Sequence, residues 1–250
     1  MTPRTVAKIA WLLILTGLGM NRAIEHYYPT PALLHSELSR PVLALELVPD
    51  GTALGRLLGR DPSQYPELGI DPGSIHVADI HGVLLWSTVA DSVLFIPLYV
   101  AFLIGFVKLT CGEGAVWRLA LALAVIAGLA DYLENSGIFR VLIGNVMLDD
   151  RAAAWIRVPA LVKWAALHGT LLVLALRFIR TYGAPLFPKA GGGVLALLLL
   201  AAALIGIAGL RVYAYLELSV ALFSVLVLIC GVALWRPAPR REEQRVPQPA

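Results

Sequence analysis

Asp131, Glu134 and Asn135 stand at i, i+3 and i+4 inside the otherwise apolar stretch 127–139. That spacing puts two carboxylates and an amide on one helix face. Carboxylates surrounded by hydrocarbon can hold a proton, coordinate a cation or act as a general base. One charge left alone at the centre of a bilayer costs about 2.5–3.5 kcal/mol, so a compensating group is expected nearby. Lys163 is the basic residue that lies well inside an apolar segment, and Asp91 is the acid well inside another. These five residues are the candidate polar pocket. If all were ionised, three acids facing one lysine would leave a net charge of −2. A low-dielectric site resists that, so the pattern predicts a retained proton, a bound cation, or Arg157 folding in from the rim.

Four further residues are secondary candidates. Arg157 is one, and Ser87, which shares a helix face with Thr88 and Asp91, is another. Glu217 lies near the outer end of the last apolar segment and reads first as a snorkelling interfacial glutamate. His168 follows Lys163 by five residues, which turns it about 140° away, so it reads as a hydrogen-bonded packing histidine. His76, Asp79 and His81, with His26 and His35 in reach of the same mouth, have the residue types of a zinc site. Their i, i+3, i+5 spacing fits no compact helical face, and no metal or other cofactor is expected. The chain lacks a GxSxG elbow, a Walker loop, an HExxH pair and a dinucleotide glycine motif in the right context, so no catalytic residue can be assigned. Cys111 and Cys230 lie far apart in a loop and in an apolar segment, which argues against a structural disulfide.

The elements that must carry these groups follow from composition. Of 250 residues, 58% are hydrophobic and 15% charged, and the mean hydropathy is +0.76. Soluble domains are nearer half apolar and a quarter charged. The apolar residues come in blocks, which predicts an all-α polytopic transmembrane bundle with about six spans: about 5–20, 82–107, 117–139, 158–179, 193–210 and 213–235. The first reads as an uncleaved span rather than a signal peptide, since no clean small-x-small site follows it. Residues 21–80 are too polar to span and predict a cap of short helices and loops, with Thr30-Pro31 opening one helix and a turn-rich loop over 61–73. Gly191-Gly192-Gly193 reads as an interfacial turn. The fifth segment has no ionisable residue and is the candidate face for lipid or for a second copy, with Gly206 and Gly209 assisting close packing. Residues 1–236 form one membrane domain in this reading, and 237–250 form a disordered cytoplasmic tail.

The net charge of +3 gathers beside apolar segments rather than in a patch. It reads as topology, with no nucleic-acid partner, and places both termini on the cytoplasmic side of an inner membrane. In that orientation Asp91, Asp131, Glu134 and Lys163 fall at a shared depth, about 8–15 Å below the outer edge. Ala120, Ala124 and Gly128 continue the face of Asp131 and predict close helix packing on the interior side. The expected function is binding or movement of a small solute, ion or proton, with membrane lipids as surroundings. A membrane-embedded enzyme acting on a lipid or lipid-linked substrate is the first alternative, and a non-catalytic assembly protein the second.

Overall fold

Thr2 opens the first helix, its Oγ1 accepting from the Thr5 amide at 3.2 Å just before a first-turn proline, so α1 (Pro3–His26) begins as such helices should. The computed structural model describes residues 2–26, 38–60, 67, 71, 76–110, 114–144, 146–181 and 189–235. Among them 88% are helical and there is no strand, as expected for the all-α class. Two short helices follow: α2 (Pro41–Glu46) and α3 (Gly51–Leu57), the latter capped by Asp50, which accepts from the Ala53 amide at 2.8 Å. Gly59, at φ 70°, ends α3 in the left-handed conformation that favours glycine.

The next rod is continuous but not uniform. It runs through α4 (Val77–Ala90), a π turn (Asp91–Phe95) and α5 (Ile96–Thr110). Pro97 gives the physical reason for the π turn. In a regular helix its ring would clash with the Val93 carbonyl, and the wider turn, in which Ile96 N–H bonds Asp91 O, avoids that clash. Lacking an N–H, Pro97 cannot bond Ser92 O in this register, and the Tyr132 hydroxyl donates to that carbonyl instead at 3.1 Å. α6 (Ala115–Ile143) and α7 (Asp150–Thr181) follow, α7 capped by Asp149 through the Ala152 amide at 2.8 Å. α8 (Lys189–Gly209) and α9 (Tyr213–Trp235) complete the described chain.

Among the described residues three helices are long and apolar enough to cross a membrane: Val77–Leu109, Ala115–Ile143 and Asp150–Arg180. The uninterrupted apolar stretches of α1, α8 and α9 are shorter, Ala7–Gly19, Gly193–Gly209 and Tyr213–Ile229. By this measure three of the six expected spans stand. α6 lies along α7, α7 along α8, α8 along α9, and α1 along α5. Ala120, Ala124 and Gly128 are buried as the face pattern predicts, and a Cβ on Gly128 would come within 2.6 Å of Val100 Cγ2.

The region expected to roof the bundle does more than lie on it. Leu43, Leu45, Leu54 and Leu57 of α2 and α3 share a core with Ile80, Leu84, Ile138, Ile156 and Leu216 from the ends of four longer helices. A second core joins α1, α5, α6, α7, α8 and α9. Trp164 packs against both, and the polar residues lie at this junction. Gly191-Gly192-Gly193 is helical within α8, not a turn. The α8 glycines pack inside the chain: a Cβ on Gly206 would overlap the His168 imidazole, and one on Gly209 would reach the Leu216 backbone. The helix expected after Thr30-Pro31, His35, most of the loop over 61–73, Cys111, the Cys230 side chain and the tail lie outside the described residues.

Candidate functional site

α6 supplies the acidic wall. Asp131, Glu134 and Asn135 are all buried, on the face that the small residues Ala124 and Gly128 let the neighbouring helices approach. Lys163 enters from α7, 4% exposed, and its Nζ lies 3.1 Å from Asp131 Oδ1 and 2.8 Å from Glu134 Oε2. Only the Asp131 contact is directed as a hydrogen bond. Glu134 meets the ammonium at ion-pair distance, and its Oε1 is buried without a hydrogen-bond partner. Asn135 turns the other way and donates from Nδ2 to Asp91 Oδ2 at 2.7 Å and to Ser92 Oγ at 3.0 Å. The five residues read from spacing therefore form two linked groups: Asp131–Glu134–Lys163, and Asn135 with Asp91 on the π turn.

Three residues complete the arrangement that spacing did not single out. Glu46, the last residue of α2, reaches Lys163 Nζ at 3.0 Å and accepts from Trp164 Nε1 at 2.9 Å. Its signal was a lone carboxylate in the apolar run 42–48, a segment assigned to the cap rather than the pocket. Trp164 also lies beneath the lysine, with Nζ 5.1 Å from its ring centroid, within cation–π reach. Tyr99 donates to Asp131 Oδ2 at 2.9 Å. Eight residues of regular α-helix separate Asp91 and Tyr99 by about 80° in azimuth. The extra residue absorbed by the π turn reduces that to about 20°, which brings Tyr99 onto the face of Asp91.

The secondary candidates divide. Ser87 is 1% exposed and its hydroxyl has no hydrogen-bond partner. Arg157 does not fold in, because Nη1 donates to Pro49 O at 2.5 Å and holds the link between α2 and α3. Glu217 neither snorkels nor joins the pocket. It accepts from Ser39 N at 2.6 Å, Ser39 Oγ at 3.1 Å and Arg40 N at 3.1 Å, clasping the start of the cap. His168 is the packing histidine that its angle suggests. Nδ1 donates to the Trp164 carbonyl at 2.7 Å, and Nε2 is 2.7 Å from Ser219 Oγ, which donates to it in that tautomer. Ser219 is fully buried, so this hydroxyl–imidazole pair locks α7 to α9 rather than facing a ligand. His76 and Asp79 are exposed and His81 half-buried. Among the described residues no group of three His, Cys, Asp or Glu side chains is placed to hold a metal ion.

Beside the charged cluster is a cavity of about 120 Å³, reached by Glu46, Ser87, Asp91, Tyr99, Asp131, Lys163 and Trp164. Leu18 of α1, Leu43 of α2, Phe95 of the π turn, and Val220 and Phe223 of α9 add hydrocarbon to its wall, which Arg40 and Ser224 also line. Chemically, the arrangement places one fixed cation among three carboxylates, with a fourth facing the same space. With Arg40 on the same lining, full ionisation of four acids and two bases would give a net charge of −2, the value that the spacing alone implied. Compared with known proteins, the chain matches no family model, no curated protein and no solved structure.

Proposed function

We propose that the chain is a multi-pass protein of the cell's inner membrane that binds a small solute, ion or proton at the Lys163 cluster and moves it through changes in carboxyl protonation. The observation that carries this reading is the charge imbalance: three carboxyl groups share one lysine, and a fourth acid and Arg40 line the adjoining cavity, so four acids stand against two bases. Buried charge of that size requires a retained proton or a bound cation to be neutralised. About six spans belong to the same proposal. α1, α8 and α9 have 24, 21 and 23 residues, and at 1.5 Å per residue each is about 30–36 Å long, near the hydrocarbon thickness. Residues 1–236 then form one membrane domain, with both termini cytoplasmic.

The test is infrared spectroscopy of the purified protein, together with flux in proteoliposomes. The reading predicts a carboxylic-acid C=O band that survives to about pH 6 or above, or a tightly bound cation, and loss of flux in a folded Asp131→Asn variant. Complete ionisation with no bound cation would refute it. The hydrocarbon wall from Leu18, Val220 and Phe223 favours one alternative, a membrane-embedded enzyme using a pocket carboxylate as general base on a lipid or lipid-linked substrate. An altered lipid profile on deletion, without any flux, would select that alternative.

A further inference from the structure

Asp91 differs from the other acids of the site. The lysine's ion pairs go to Glu46, Asp131 and Glu134, at 2.8–3.1 Å. Asp91 instead meets the neutral Asn135 amide through Oδ2 and faces the cavity. One helical turn earlier, Ser87 opens onto the same space. A buried helical serine ordinarily bonds back to the carbonyl four residues before it. The adjacent Thr88 does so, donating to Leu84 O at 2.8 Å. Ser87 does not, and its hydroxyl is left buried and without a partner. A carboxylate and an unpartnered hydroxyl thus stand together on a space that Phe95, Val220 and Phe223 line with hydrocarbon, and that Lys163, Arg40 and Ser224 also reach.

The chemistry of this space selects a ligand class. A bare metal cation wants about six or more oxygen ligands, more than the one carboxylate and one hydroxyl of Asp91 and Ser87 supply. An ammonium group needs acceptors for three donors, and a carboxylate with a hydroxyl can take them. Aromatic rings beside it add cation–π attraction. An apolar cavity of about 150 Å³ admits benzene, so 120 Å³ suits a smaller body of about four carbons. We propose that Ser87 and Asp91 bind a primary alkylammonium ion in the cavity, with its alkyl group lying against Phe95, Val220 and Phe223. This rests on the reading that the site takes a positive species, and it names the class of that species.

Calorimetric titration of the full-length protein in detergent, with n-butylamine, n-butanol, KCl and NaCl as probes, tests it. Saturable binding of butylamine is expected, with butanol weaker by about tenfold or more, the usual worth of a charged hydrogen bond. Asp91→Asn should weaken butylamine by a similar factor. Ser87→Ala removes a hydroxyl without protein partners, so the fold should be retained, and it should weaken binding by about three- to tenfold. Equal affinity for butanol and butylamine would overturn the proposal, leaving only an apolar cavity. Saturable potassium or sodium binding that disappears in Asp91→Asn, without amine binding, would also overturn it while leaving the cation reading of the site intact. So would absence of amine binding alongside a persistent carboxylic-acid band. Absence of amine, inorganic cation and protonated carboxyl together would remove both readings.

Discussion

In a one-to-one buried ion pair, deleting either partner strands the other and costs about 3–5 kcal/mol. The Lys163 cluster should not behave that way. All three contacting oxygens lie within 3.1 Å of Nζ, so no two of them are more than about 6 Å apart. With an effective dielectric constant of about 20, each lysine contact is worth roughly 5–6 kcal/mol of gross attraction, and each ionised carboxylate pair at least about 3 kcal/mol of repulsion. Glu134→Gln therefore gives up about 6 kcal/mol of attraction and relieves about the same repulsion from Glu46 and Asp131. A proton already held at Glu134 would lead to the same small change, since glutamine resembles the neutral acid. Its net effect should lie within about 1 kcal/mol of zero. Lys163→Met loses every attraction at once and leaves the repulsions, so it should cost at least about 3–5 kcal/mol even after the ammonium's desolvation is recovered. For a chain of this size that is a fall of about 6–20 °C in Tm. Thermal unfolding in detergent, followed by tryptophan fluorescence, measures both variants. Equal losses would refute the reasoning, because they would mean that Lys163 and Glu134 form a simple pair and that the other acids carry no charge.

Other perturbations probe the supports. Gly206→Ala should force apart α8 and the His168 ring, with an overpacking cost of about 1–3 kcal/mol; combining it with His168→Ala should recover part of that loss in the same unfolding assay. Ser219→Ala leaves His168 Nε2 buried without a donor and should cost about 1–3 kcal/mol, whereas Ser224→Ala, which removes only a hydroxyl bonded to Val220 O within its own helix, should change Tm little. Glu217→Ala removes the acceptor for Ser39 and Arg40. Hydrogen exchange of the Ser39 and Arg40 amides should then accelerate about tenfold through local opening, and an unchanged rate would show that the cap is held without the clasp.

Much of this was legible from residue types. Apolar blocks with no alternating pattern implied helices throughout, and the longest blocks are the three described helices long enough to cross a membrane. The i, i+3, i+4 spacing placed Asp131, Glu134 and Asn135 on one buried face, and the need for compensation pointed to Lys163. Glu46 was hidden because a six-residue helix between prolines carries too little periodicity to show which way it points. Tyr99 was hidden for a different reason. A uniform helical wheel rotates it off the face of Asp91, and Pro97, the residue that undoes that phase, was readable only as a defect. Glu217 and Arg157 were placed by depth alone, but each is held by a backbone group of the cap that no helical wheel contains.

The π turn over Asp91–Phe95 has a mechanical consequence for the rod that carries it. It is a stored residue, and helices with such an insertion behave as two threads joined out of step. Removing the insertion, or passing it along the rod, screws one half against the other by about 100° and 1.5 Å per residue. Tyr99 lies on one side of the join and Ser87 on the other, with Asp91 at its edge. Such a turn would swing the phenol away from Asp131 while Ser87 kept its place, uncoupling the lysine cluster from the cavity without any helix leaving the bundle. The Tyr132–Ser92 bond, donated by α6 to the carbonyl that Pro97 leaves open, is the latch against that rotation.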